Sequence, residues 1–200
     1  MGDRNKWHFA HKGEDPEYCP LKSIDAEVVE AMVCMYKWLK SKAVVLEVLP
    51  EYSPPELGLA APVELFFRTK KQKYIYKIIW KRVSSDVIAE IEELRDNYVV
   101  NYVFLEKSIR AEEGKYKFGP THRECYQYNV KANKDDKYYG AFQRDTRHIV
   151  AIDPENQSFL KLTKAYRVRA GKKLYEAECE EIPLAVAAIK PSNGEIVFPG

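Results

Sequence analysis

Hydrophobic positions recur with a helical period between 23 and 41. Val28, Met32, Met35 and Leu39 stand four, three and four residues apart, which places them on one helix face. Ser23 supplies an N-cap, Asp25 and Glu27 fall early, and Lys37, Lys40 and Lys42 fall late, the charge order that a helix dipole favours. Cys34 lies on the apolar stripe and reads as a core thiol. The period then shortens. AVVLEVL, residues 43–49, is rich in β-branched side chains and predicts a strand covered on both faces, ended by Pro50. Four prolines and a glycine within 50–62 make a connecting loop. VELFFR at 63–68 is a second strand, TKKQ at 69–72 a polar turn, and KYIYKIIWK at 73–81 a third strand. In that third strand Tyr74, Tyr76, Ile78 and Trp80 face one side, and Ile75, Lys77, Ile79 and Lys81 face the other. Ser84 or Ser85 caps a second helix with an apolar stripe of Val87, Ile88, Ile91 and Leu94, and residues 99–105 form a fourth strand.

Residues 106–115 are polar, FGP breaks the chain, and a boundary is set near 114. Beyond it, YQYNVKA, RHIVAI, SFLKLT, AYRVRA, KLYEAECEEI and LAVAAIK read as short strands, with a hairpin turn around AGKK. The expected fold is therefore α/β (α+β): helix, three strands, helix, strand, then a β-rich module. The segments are 1–22, 23–113 and 114–200.

Composition narrows the function classes. With 200 residues, 46% hydrophobic and 31% charged, the chain suits one large domain or two small ones. A formal charge of +2 lacks the basic excess of a DNA-coating protein. The first 113 residues hold 17 basic and 19 acidic groups, and the remainder 15 and 11, so the second part is mildly the more basic. The richest apolar stretches, 43–49 and 184–189, are far shorter than the ~20 residues of a membrane span. MGDRNKWHFAHK has no apolar run of the secretory kind, and Lys6 stands where myristoylation needs Ser or Thr. A cytoplasmic setting with no membrane partner is expected. The four cysteines, at 19, 34, 125 and 179, form no C-x-x-C pair and predict free thiols or isolated ligands.

Trp7-His8-Phe9-Ala10-His11-Lys12 stands a short loop before Cys19 and a helix ending Tyr36-Lys37-Trp38-Leu39. This arrangement resembles the competence protein CoiA-like family, whose HFAHK-type motif precedes the helix that opens a restriction-endonuclease-like domain. The resemblance covers roughly 6–105. It implies a PD-(D/E)XK core, in which a carboxylate on the second strand and an acid-x-Lys group on the third hold the Mg²⁺ that activates water. Here Glu64 is the carboxylate of the second strand, displaced from its start, and Lys77 is the lysine of the third. Ile75 occupies the place of the second acid. Glu47 and Glu27 are the remaining, remote candidates for a migrated carboxylate set. One retained carboxylate predicts weak Mg²⁺ binding and loss of cleavage.

The resemblance also implies a zinc-ribbon-like start, and this chain begins without its C-x-x-C pair. His8, His11 and Cys19 offer three zinc-ligating groups, and His122-x-x-Cys125 would complete four; the alternative is packing around Trp7 and Phe9. No cofactor is expected under the leading reading. Mg²⁺ or structural Zn²⁺ belongs to its alternatives.

Residues 68–82 carry seven basic groups and no acid, interleaved with Tyr74, Tyr76 and Trp80. Such a segment suits a phosphate backbone, with rings free to stack on bases or turned inward as core. Arg68, Lys70, Lys71 and Lys73 are the candidate phosphate contacts, while Glu90, Glu92, Glu93 and Asp96 read as the solvated face of the second helix. Three functions stand: a non-cleaving CoiA-like protein that binds nucleic acid or a nucleic-acid-processing partner; an active nuclease using Glu27, Glu47 and Glu64; and a protein-interaction module of mobile-element origin.

Overall fold

The computed structural model describes residues 26–53, 63–81, 83–112, 114–119, 121–122, 125, 149–167 and 174–199. His8, His11, Cys19, the Ser23 cap, the expected strand YQYNVKA and the AGKK turn lie outside them.

Helix α1 (Ala26–Lys40) buries Val28, Ala31, Met32, Met35, Trp38 and Leu39, the face that the sequence period marks. Cys34 sits half-buried at its margin, its thiol directed at the Pro154 carbonyl. Strand β1 (Glu47–Tyr52) starts later than expected and continues through Pro50. Only Val48 of the strand is buried, and Val44, Leu46 and Leu49 are exposed. The expectation of cover on both faces is corrected. Among the described residues this strand pairs with one neighbour only, and an edge tolerates a residue without an N–H on its open side.

β2 (Val63–Arg68) and β3 (Lys73–Ile79) follow β1 as an antiparallel meander, with Leu65 opposite Tyr76 and Arg68 opposite Lys73. Helix α2 (Ser85–Glu93) is capped by the Ser84 hydroxyl, which accepts from the Val87 N–H. It carries the chain back so that β4 (Val99–Leu105) lies parallel to β3. The polar stretch after β4 contains a short helix, α3 (Glu106–Ile109), and two short strands, β5 (Arg110–Glu112) and β6 (Lys115–Lys117).

Next come β7 (Ile149–Asp153), β8 (Ser158–Arg167) and β9 (Leu174–Pro183). SFLKLT and the described start of AYRVRA, expected as separate strands, are one strand through Arg167 with a register shift between Thr163 and Tyr166, where Lys164 takes φ +52°. LAVAAIK is mostly turn. Only β10 (Ala188–Ile189) is extended, and it pairs with β11 (Ile196–Val197). Nine of the described strands form one sheet in the order β1-β2-β3-β4-β7-β8-β9-β6-β5, so strands from both sides of position 114 are hydrogen-bonded into it. The fold is mixed α/β with a mostly antiparallel sheet and few helices. Among the described strands only β3/β4 and β4/β7 pair in parallel.

The sheet has a packed cluster on each face. On one, α1 covers Leu65, Phe67, Tyr74, Tyr76, Ile78 and Val103; on the other, α2 covers Phe66, Ile75, Ile79, Val100, Tyr102 and Phe104. The alternation of β3 is thus as its sequence predicts. Trp38 joins α1 to the C-terminal segment through an indole N–H donated to the Ala187 carbonyl, 3.2 Å away. The β10–β11 hairpin closes over the α1 face. Tyr74 and Tyr76 donate their hydroxyls to the carbonyls of Pro191 and Gly194. Gly194, at φ +68°, brings its backbone so near that an added Cβ would lie 2.5 Å from Tyr74 Cδ1. No described helix is long and apolar enough to cross a membrane.

Candidate functional site

Charged side chains concentrate at the two ends of the β2–β3 hairpin. At the open end, where the ladder stops after Leu65 and Tyr76, Glu64 and Lys77 face each other. Lys77 Nζ stands 2.6 Å from Glu64 Oε1, and the Ile78 N–H donates to Glu64 Oε2 at 3.3 Å. Their side chains are 8% and 13% exposed, so this is a buried ion pair. By strand alternation Lys77 lies on the same face as Ile75 and Ile79, the side of α2. Ile75, where the resemblance would require the second acid, is fully buried in that core.

Directly beside Lys77 in register stands Tyr102. Its hydroxyl donates to Glu92 Oε1 at 2.6 Å, and Arg95 grips Glu92 with Nε at 2.5 Å and Nη2 at 3.0 Å. Arg95 also donates to the Val100 carbonyl at 2.9 Å. Burial and the neighbouring carboxylate push the Tyr102 phenol above its ordinary pKa. The expectation that Glu92 belongs to a solvated face is therefore corrected. Its side chain is 16% exposed and ties α2 to β4. The Glu92/Arg95 spacing of three was a visible signal, but Tyr102 as third member depends on the parallel register.

The other carboxylate candidates are elsewhere. Glu47 pairs with Arg68 at 3.2 Å near the turn end of β2, roughly 13 Å along the strand from Glu64 at ~3.3 Å per residue. Glu27 is on α1, across the sheet, and pairs with Lys107. The structure brings Glu64 and Lys77 together and leaves Glu27 and Glu47 apart from them. The resemblance implies Mg²⁺, and these residues do not fit it: one carboxylate, with an oxygen on an ammonium and the other on an amide, beside a buried isoleucine. Among the described residues no three His, Cys, Asp or Glu side chains gather as metal ligands.

His122 and Cys125 are both buried, on the α2 side. The Gly119 N–H donates to His122 Nδ1 at 3.2 Å, which assigns the proton of the neutral ring to Nε2. In that tautomer Nε2 is a donor rather than a lone pair for zinc. Among the described residues it has no hydrogen-bond partner, and the ring stands edge-to-face on Phe104. Burial pushes its pKa down to about 4.

At the turn end the arrangement reverses. Thr69 is buried, and its hydroxyl accepts the N–H groups of Lys71 and Gln72 at 3.1 and 3.3 Å. Its own N–H donates to the Gln72 carbonyl, so the turn is held from within. Lys70, Lys71 and Lys73 are exposed, and among the described residues no carboxylate pairs with them. Lys73 Nζ stands 5.4 Å from the centroid of the Tyr98 ring. Arg68 is the one candidate phosphate contact already engaged, by Glu47. The hairpin can present fixed ammonium groups to an anion at one end, and holds a neutralised charge pair at the other. No family model, curated protein or solved structure matches this chain.

Proposed function

We propose that this chain is a CoiA-like protein with a nuclease-derived core, acting in the cytoplasm by binding nucleic acid, or a protein that processes it, without cleaving it. The observation that carries this reading is the Glu64–Lys77 pair with Ile75 two residues before Lys77. A carboxylate and a lysine stand at matching positions of the second and third strands, yet the second acid is a core side chain and the first is engaged. The connectivity supports the same reading: a helix, an antiparallel three-strand meander, a crossover helix on the opposite face, and a fourth strand parallel to the third. Binding is assigned to the turn carrying Lys70, Lys71 and Lys73, where three ammonium groups have no carboxylate partner among the described residues.

Two assays test this. Plasmid and single-stranded DNA incubated with the protein and Mg²⁺ or Mn²⁺ should remain intact; cleavage that disappears with Glu64→Ala would identify an active nuclease instead. DNA should be retained at low salt and released as salt rises. No retention at any salt would leave the chain as a protein-interaction module.

A further inference from the structure

Of the rings interleaved with the basic residues of this segment, Trp80 is half-buried under Lys81 at the end of β3 away from the turn, and the two nearer the turn are unavailable to a ligand. Tyr74 and Tyr76 are fully buried, with hydroxyls committed to Pro191 and Gly194, and Phe67 stacks on Tyr74 with centroids 4.6 Å apart. Tyr98, beneath Lys73, is buried and hydroxyl-bonded to Tyr52. The exposed large hydrophobic residues described are Val44, Leu46, Leu49, Val186 and Val197, all aliphatic. Proteins that hold single strands combine a basic groove with rings on which bases stack. Here the lysines stand on a hairpin turn, and among the described residues no ring is exposed beside them.

Resting on the nucleic-acid reading above, we infer that the 69–73 turn takes the phosphate backbone of a double helix and makes no base-stacking contact. The Thr69 hydrogen bonds fix the turn, so Lys70 and Lys71 project from a backbone that is already ordered, while Lys73 is steadied over the Tyr98 ring. Phosphate contacts of this type carry no sequence information. They are additive in counterion release, with a salt slope of about 0.9 per contact on a duplex.

Fluorescence anisotropy with the full chain tests the assignment, using a labelled mixed-sequence duplex, one of its separated strands and a homopolymeric duplex, each across a salt series. The two duplexes should bind alike, and the separated strand no more tightly than either. Lys70→Gln, Lys71→Gln and Lys73→Gln together should flatten the duplex slope by roughly 0.9 for each contact removed, with an unchanged thermal melt as the folding control. A separated strand bound on the order of ten-fold tighter than the duplex, the equivalent of one stacked base, would overturn the duplex assignment and leave nucleic-acid binding intact. An unchanged slope in the triple variant would overturn the turn as the contact. No binding to any probe would overturn the nucleic-acid reading itself.

Discussion

The two ends of one hairpin treat charge in opposite ways. At the open end Glu64 and Lys77 are buried and paired; at the turn, Lys70, Lys71 and Lys73 are exposed, with no described carboxylate paired to them. Two strands of six and seven residues separate the two regimes. The difference lies in what covers each end. The open end lies on the α2 face of the sheet, where an ion must be matched to survive desolvation, whereas the turn stays in water and its charges remain available. Charge that is matched internally holds a fold; charge left unmatched at a rigid surface can hold a ligand.

The largest expected effect breaks the buried end. Lys77→Met strands the Glu64 carboxylate and should lower stability by about 3–5 kcal/mol in urea unfolding, and adding Glu64→Gln should restore most of the loss. A loss below about 1 kcal/mol would mean that water reaches the pair, and the contrast between the ends would vanish.

His122 sharpens the comparison, because it is buried with no acceptor described at Nε2. Its folded pKa of about 4 lies below the ordinary imidazole value of about 6.5, so the neutral ring contributes stability that is complete above about pH 6.5. That contribution declines as pH falls toward 4, by on the order of 3 kcal/mol in all. Unfolding free energies of wild type and His122→Phe, compared across this window, should converge as pH falls. Parallel curves would show an imidazole that does not lose its environment on unfolding.

Gly194→Ala asks whether the rings near the turn are locked. The left-handed backbone and the contact with Tyr74 should cost about 1–3 kcal/mol, read as a lower melting temperature. An unchanged melt would mean that the β10–β11 hairpin is not held against β3.

The smallest stability change belongs to the turn. Replacing Lys70, Lys71 and Lys73 by Gln should leave unfolding within about 0.5 kcal/mol of wild type while weakening DNA retention. A clear loss of stability would make these lysines structural and remove the contrast from its other side.

Local pattern determined much of this molecule. The α1 stripe, the Ser84 cap, the alternation of β3 and the element order through Leu105 all follow from side-chain periods of 3.6 and 2, which act within a few residues. The absence of an acid two residues before Lys77 is equally a property of the sequence. Contacts between distant residues were decided elsewhere. β1 stands at an edge because no further described strand joins it, and its apolar run is half-exposed. β7, β8 and β9 share the sheet of the first four strands because β7 aligns with β4. Glu92 left the solvated face once Tyr102 arrived beside Lys77, and Glu27 and Glu47 were parted from Glu64 by the thickness of the sheet and the length of a strand. Periodicity tells a residue which face to take; only the packed sheet decides which charges share that face, because pairing and burial depend on neighbours that the local pattern does not name.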